Sequence, residues 1–250
     1  MNQHPHLSKA PITEAIIEFA VVAREAVTVE DLSAVKRRLE STYGTCIPLY
    51  HFEGRVTFDA ATGETRDKTH DKWHIGFRSE ARAGKLVTFT LESMSFHKLA
   101  PYSSWKEVFG EAWQTWESYR RDFRPETTRR IAARYINRLE LPVPTKLEEY
   151  VAGPPPLAGE YAVAGYVKRV NIREKKTNLL ANVIQALEVP PAEETGVSKV
   201  VIILDNDVYT TKAFDPSDDS KIKTAFEQIH GLKNRLFYES ITNRVVEEYK

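Results

Sequence analysis

The chain carries few side chains that could do covalent or metal chemistry. It has seven histidines and a single cysteine. His70, Asp71 and His74 lie close together, and on a helix the two histidines would share a face as metal ligands. Alternation of Trp73, Ile75 and Phe77 against His74 and Arg78 makes that stretch a strand instead. His70 then falls in a loop, and no zinc site is expected. Asp205, Asn206 and Asp207 supply acidic oxygens but lack the glycine and terminal glutamate of a calcium loop, so they read as a turn between strand segments. Cys46 follows a helix C-terminus, the wrong end of the dipole for a low-pKa thiol. No GxSxG, Walker-type phosphate loop, GxGxxG or HExxH is present. His230 remains, on the apolar side of the last long helix, with Asn234 four residues on and Glu239 and Thr242 beyond. Beside Arg134 and Asn137 it would complete a polar network that an apolar core does not need. No catalytic residue, cofactor or metal is predicted.

Binding chemistry is better represented. In RRIAARYINRLELP, residues 129–142, Ile131, Ala133, Tyr135, Leu139 and Leu141 share one face with Asn137. Arg130, Arg134 and Arg138 share the other with Ala132, Ile136 and Glu140, as in an antiparallel strand with one buried side. If helices cover the face bearing Phe19, Phe52, Phe77, Phe89 and Tyr135, the opposite face gathers charge from several strands. Glu14, Glu18, His51, Glu53, Arg55, His74, Arg78, Thr88 and Thr90 would join the three arginines there. Such an array suits a ligand, a peptide or a nucleic acid. It equally suits a solvated face whose cross-strand ion pairs each contribute ~0.2–1 kcal/mol. Basic residues also cluster at 120–134 and 168–176, with poor aromatic interleaving for nucleic acid.

The elements that would position these groups follow from periodicity. A β-rich run covers Ile12–Val22 after a loose leader, residues 1–11. Thr28 and Asp31 open a helix striped by Leu32, Val35 and Leu39 and ended by Gly44. Strands follow in CIPLYHFEGRVTFD, KWHIGFRS and KLVTFTLES, with the polar stretch 61–71 as a loop. Ser104 and Glu107 cap a helix carrying Trp105, Val108, Phe109, Ala112, Trp116, Tyr119 and Phe123. The central strand then begins the same order again. A short helix capped by Thr145 covers Lys146–Tyr150 and AGPPPLAGE forms a loop. Strands in YAVAGYVKRVNIR, TNLLANVIQALEV and SKVVIILDNDVYT follow, PAEETG joining the last two. The final helix bears Ile222, Phe226, Ile229, Leu232, Leu236 and Phe237. The predicted fold is α+β: a duplicated β-α-β-β-β-α unit, residues 1–127 and 128–250, packed as one antiparallel sheet with long helices on one face. This order most resembles the saddle of the TATA-binding-protein fold, with the helix-grip arrangement second.

Lys and Arg balance Asp and Glu at 35 each, which argues against a general polyanion binder. No run approaches the ~20 apolar residues of a membrane span, and one cysteine fits a reducing cytosol. Three landmarks, LSKAPITEAIIEF, RYIN followed by Pro142, and FEQIHGLKNRLFYESIT, carry a further signal by their order. Together they resemble a sporadically distributed family of uncharacterised prokaryotic proteins. The resemblance implies a cytoplasmic protein without assigned activity. It marks Glu14, Arg134, Asn137, His230 and Thr242, and departs at Ala132–Ala133, where a glycine and a larger apolar residue are expected. Sporadic distribution suits accessory roles such as defence or toxin neutralisation. The expected function is a non-catalytic module whose free sheet face meets a protein partner, with Arg78 among its contacts. Trp105, Trp113 and Trp116 would offer a dimer surface. Small-ligand binding between sheet and long helix, through Arg134, Asn137 and His230, is the first alternative, and nucleic-acid binding the second.

Overall fold

Alternation of small or apolar residues with polar ones sets the middle of the molecule. Strand β1 (Ile12–Val22) buries Ala15, Ile17 and Phe19 completely on one side. Strand β6 (Thr127–Pro142) lies antiparallel to it, with Ile17 opposite Ala133 and Phe19 opposite Ile131. In this computed structural model the described residues are 5, 7–58, 61–63, 65–81, 84–142, 146–155, 165–188 and 199–250. Around the central pair stand β2 (Cys46–Phe58), β3 (Thr65–Ala81), β4 (Lys85–Thr90) and β5 (Ser93–Leu99) on one side. On the other stand β7 (Gly165–Arg173), β8 (Leu180–Glu188) and β9 (Lys199–Thr210). All join one nine-stranded antiparallel sheet in the order β2-β3-β4-β5-β1-β6-β9-β8-β7.

Helices α1 (Ser33–Tyr43), α2 (Trp105–Phe123) and α3 (Asp219–Ser240) pack on the side bearing Phe19, Phe89 and Tyr135. The short α4 (Asn243–Tyr249) closes a smaller cluster around Leu139, Tyr150, Ile202 and Val245. The architecture is therefore α+β. Capping follows the sequence: the Asp31 carboxylate accepts from the Thr28 N–H at 2.8 Å, and Ser104 accepts from the Glu107 N–H at 3.2 Å. Phe19 stacks on Trp116 at 4.4 Å and meets Phe226 at 5.0 Å, which welds the sheet to α2 and α3. Trp113 and Trp116 are thus spent in the core rather than offered as a dimer surface, and the half-buried Trp105 stacks on Phe109. Among the described residues no helix is long and apolar enough to cross a membrane.

Several expectations are corrected. Residues 65–71 are strand rather than loop, because they ladder against Glu53–Phe58, and the facing residues 51–57 are exposed on both sides of β2, so this pairing needs no apolar face. A bulge between Leu49 and Tyr50 places an extra residue, Ile75, in β3 and reverses the alternation beyond it. His74 therefore turns to the helix side, where its ring meets Phe77 at 4.7 Å, and Trp73 turns to the other side beside His51. Phe52 lies on the arm beyond the helices and is 67% exposed. Ser93–Leu99 is a strand of its own, so four strands rather than three follow α1. In the second half the short helix is only a 3-10 turn, Leu147–Glu149. Asp205–Asp207 is no turn but the middle of β9. The leader is tied down from Leu7 onward: Lys9 N–H donates to Tyr249 O, and Pro11 O accepts from Arg138 N–H. Thr145, most of AGPPPLAGE and the PAEETG connector lie outside the described residues.

Candidate functional site

Two groups of polar residues emerge, on opposite faces of the sheet. Even-numbered positions of β6 and odd-numbered positions of β9 face away from the helices. There Arg134 makes a two-pronged bond to Asp205 at 2.9 and 2.6 Å. Arg130 grips Asp207 at 2.9 and 3.0 Å, also pairs with Glu18, and lies over the Tyr209 ring at 4.4 Å. Asn182 adds a bond to Asp207, and Glu14 accepts from His97 Nδ1 at 2.7 Å. Arg138 and Lys199 share Glu140, and Arg78 pairs with Glu80. The hydrogen bonds from Arg134 to Asp205 raise the guanidinium pKa above its ordinary value. The predicted arginine face exists, but its charges are matched internally. The exposed pairs, such as those of Glu140 with Arg138 and Lys199, each contribute up to about 1 kcal/mol, while the Arg130–Asp207 and Arg134–Asp205 pairs are half-buried.

The second group sits under α3. Successive turns of a helix bring residues three and four apart onto one stripe. On α3 that stripe carries Phe226, His230, Lys233 and Phe237 against β6. Tyr102, Ser103 and Ser104 approach from the start of α2, and Pro5, Leu7, Ser8 and Ala10–Ile12 close the top. Together they form a half-open cavity of about 350 Å³ whose wall includes Tyr135, Asn137, His230, Lys233 and Asn234. Lys233 is 6% exposed, and its ammonium lies 3.7 Å from the centre of the Tyr135 ring. No carboxylate among the described residues pairs with it. Burial alone pulls its pKa down to about 7. The cation–π contact offsets part of that cost, on the order of 2 kcal/mol when desolvated.

The other lining groups are held in fixed states. Asn234 Nδ2 donates to His230 Nε2 at 3.1 Å, so the imidazole is neutral with its proton on Nδ1. Burial, and then the neighbouring Lys233 charge, hold His230 down at about 4. Its ring stacks on Trp105 at 4.3 Å, forming a flat wall. The Asn137 amide donates to Leu204 O at 3.1 Å, leaving its carbonyl oxygen as the group it can offer. Tyr102 and Tyr135 hydroxyls meet at 3.2 Å, and burial raises both pKa values, so both stay protonated. The first turn of α2, capped by Ser104, brings the positive end of a 19-residue helix to the same space.

The structure thus brings Asn137 and His230 together and separates them from Glu14 and Arg134. Thr242 belongs to neither group; its hydroxyl donates to Glu149 O at 2.6 Å, fastening the start of α4. The sequence reading passed over Lys233, although its position, four residues after Ile229 and seven after Phe226, lies on the apolar stripe. A larger open cleft of about 950 Å³ at the end of α2 is lined by Arg120, Arg121 and Arg124. Arg120 there is already bound to Asp219 and to Pro216 O. Cys46 is buried, and desolvation, reinforced by Glu40, raises its thiol to about 11, which leaves it no nucleophile. Asp71 and His74 face opposite sides of β3, and among the described residues no metal-binding cluster forms. No protein-family model matches the chain, and no curated protein matches it either, so the functional reading stands on this geometry.

Proposed function

We propose that the protein binds a small anionic molecule in the cavity between β6 and α3. The observation that carries this reading is Lys233, a buried ammonium without a carboxylate partner among the described residues that lines a half-open cavity. A carboxylate or phosphate oxygen beside it restores the charge balance that folding removed. The α2 N-terminus adds a second positive end, the Asn137 carbonyl and Tyr102 hydroxyl fix orientation, and the Trp105–His230 stack receives a flat apolar body. The neutral His230 lies beside Lys233 and contributes no competing charge.

The test is a thermal-shift and calorimetric titration with phosphate, acetate, benzoate and mononucleotides. At least one class should stabilise the protein by mass action, and Lys233→Met should abolish that stabilisation. A panel without effect, or a shift retained by Lys233→Met, overturns the reading. We also infer a duplicated unit of the TATA-binding-protein type. Its support is a strand order that reads outward from the β1–β6 pair in both directions, β5-β4-β3 and β9-β8-β7.

A further inference from the structure

We propose that the β2 edge pairs with the β2 edge of a second copy of this chain, about a twofold axis through Gly54. Strand β2 ends the sheet, so one side of its backbone has no neighbouring strand. Where it runs with β3 beyond the helices, the ribbon is open on both faces: Phe52 is 67% exposed, Val56 47% and Trp73 44%. A two-stranded ribbon is marginal alone, and an aromatic edge invites another strand.

The sequence of that edge names the occupant. In HFEGRVT, residues 51–57, the glycine stands at the centre of a pattern that complements itself when reversed. Antiparallel pairing about Gly54 sets Glu53 of one copy opposite Arg55 of the other, twice. It likewise sets Phe52 opposite Val56, twice, on the opposite side of the ribbon. Neither Glu53 nor Arg55 has an ion-pair partner among the described residues. Gly54, without a side chain, leaves room at the axis for the two Phe52 rings. Pro48 lacks an N–H and closes the addable stretch toward the body. Equal numbers of acidic and basic groups on this edge favour a copy of itself over a polyanion. Roughly nine residues per strand make a ribbon on the order of 30 Å long, at the small end of specific interfaces, so the dimer is of micromolar strength.

Sedimentation equilibrium across a wide concentration range tests this directly. The expected result is a reversible dimer. Glu53→Arg alone and Arg55→Glu alone should each weaken it at least about tenfold, since two attractions become two repulsions. The double variant E53R/R55E should recover the wild-type constant, because the symmetry exchanges the charges. Gly54→Cys at the axis should oxidise to a cross-linked dimer. All three positions are exposed, and unchanged circular dichroism will show that folding is intact. A monomer at every concentration, a dimer indifferent to the single reversals, or a double variant no better than the singles overturns the proposal. Nucleic-acid binding by a monomeric protein does so too.

Discussion

An ammonium held at the Lys233 position makes the stability of the empty protein depend on pH. Its folded pKa is about 7 against an ordinary 10.5, so between those values the unfolded chain binds more protons than the folded one. Stability therefore rises with pH through that window, by up to about 1.4 kcal/mol per unit. Above about pH 10 the buried Tyr102 and Tyr135, whose hydroxyls resist ionisation in the fold, reverse the trend. Melting temperatures taken from neutral to mildly alkaline pH should climb in the wild type and stay nearly flat in Lys233→Met, which should also be the more stable protein near neutrality. A falling wild-type curve would mean that Lys233 has found a counter-charge. Asn206 offers a second check. It is completely buried opposite Tyr135, and neither atom of its amide has a hydrogen-bond partner. Asn206→Leu should raise stability by about 1–2 kcal/mol in chemical denaturation, because an unpaired buried amide costs that much. Lys233 was within reach of helical periodicity. Asn206 was not, since only the register of β6 against β9 shows that the residue between two outward aspartates faces the core.

At the level of elements, alternation was a good guide wherever one face is dry. It placed β1 and β6, and the apolar stripes of α2 and α3, with the residues that the core now buries. It failed on β3, for two physical reasons. The outer part of that strand ladders against residues 51–57 of β2, which are exposed on both sides, and TRDKTHD carries no apolar period to read. Further in, the bulge at Ile75 inverts the phase without any change in composition. Gly76 is what permits the bulge: a Cβ there would stand 2.2 Å from Phe89 O and 2.7 Å from Thr90 Cα. Backbone cannot yield that distance cheaply. Gly76→Ala should therefore cost at least about 2 kcal/mol, whereas Gly110→Ala, in an open position on α2, should be neutral or stabilising. Equal effects at the two sites in urea melts would remove the bulge from this explanation.

The molecule as a whole is a wide sheet with one covered side, one side of matched charges, and two margins. The general outline, helices on a single face of an antiparallel sheet, was legible because Arg130, Arg134 and Arg138 repeat every four residues through one strand. Their carboxylate partners were not, since Asp205 and Asp207 lie some seventy residues away and meet them only through the β6–β9 register. The two margins differ in kind. At β7 the outermost strand carries Lys168, Arg169 and Arg173, and a strand laid beside it by a second copy would bring like charges together. At β2 the margin carries its own complement. A plate with one adhesive rim and one repellent rim joins in twos and stops, whereas two adhesive rims would grow without limit into fibres. In the proposed dimer the basic residues of β7 would act as a terminator, holding an eighteen-strand pair short of an endless ribbon.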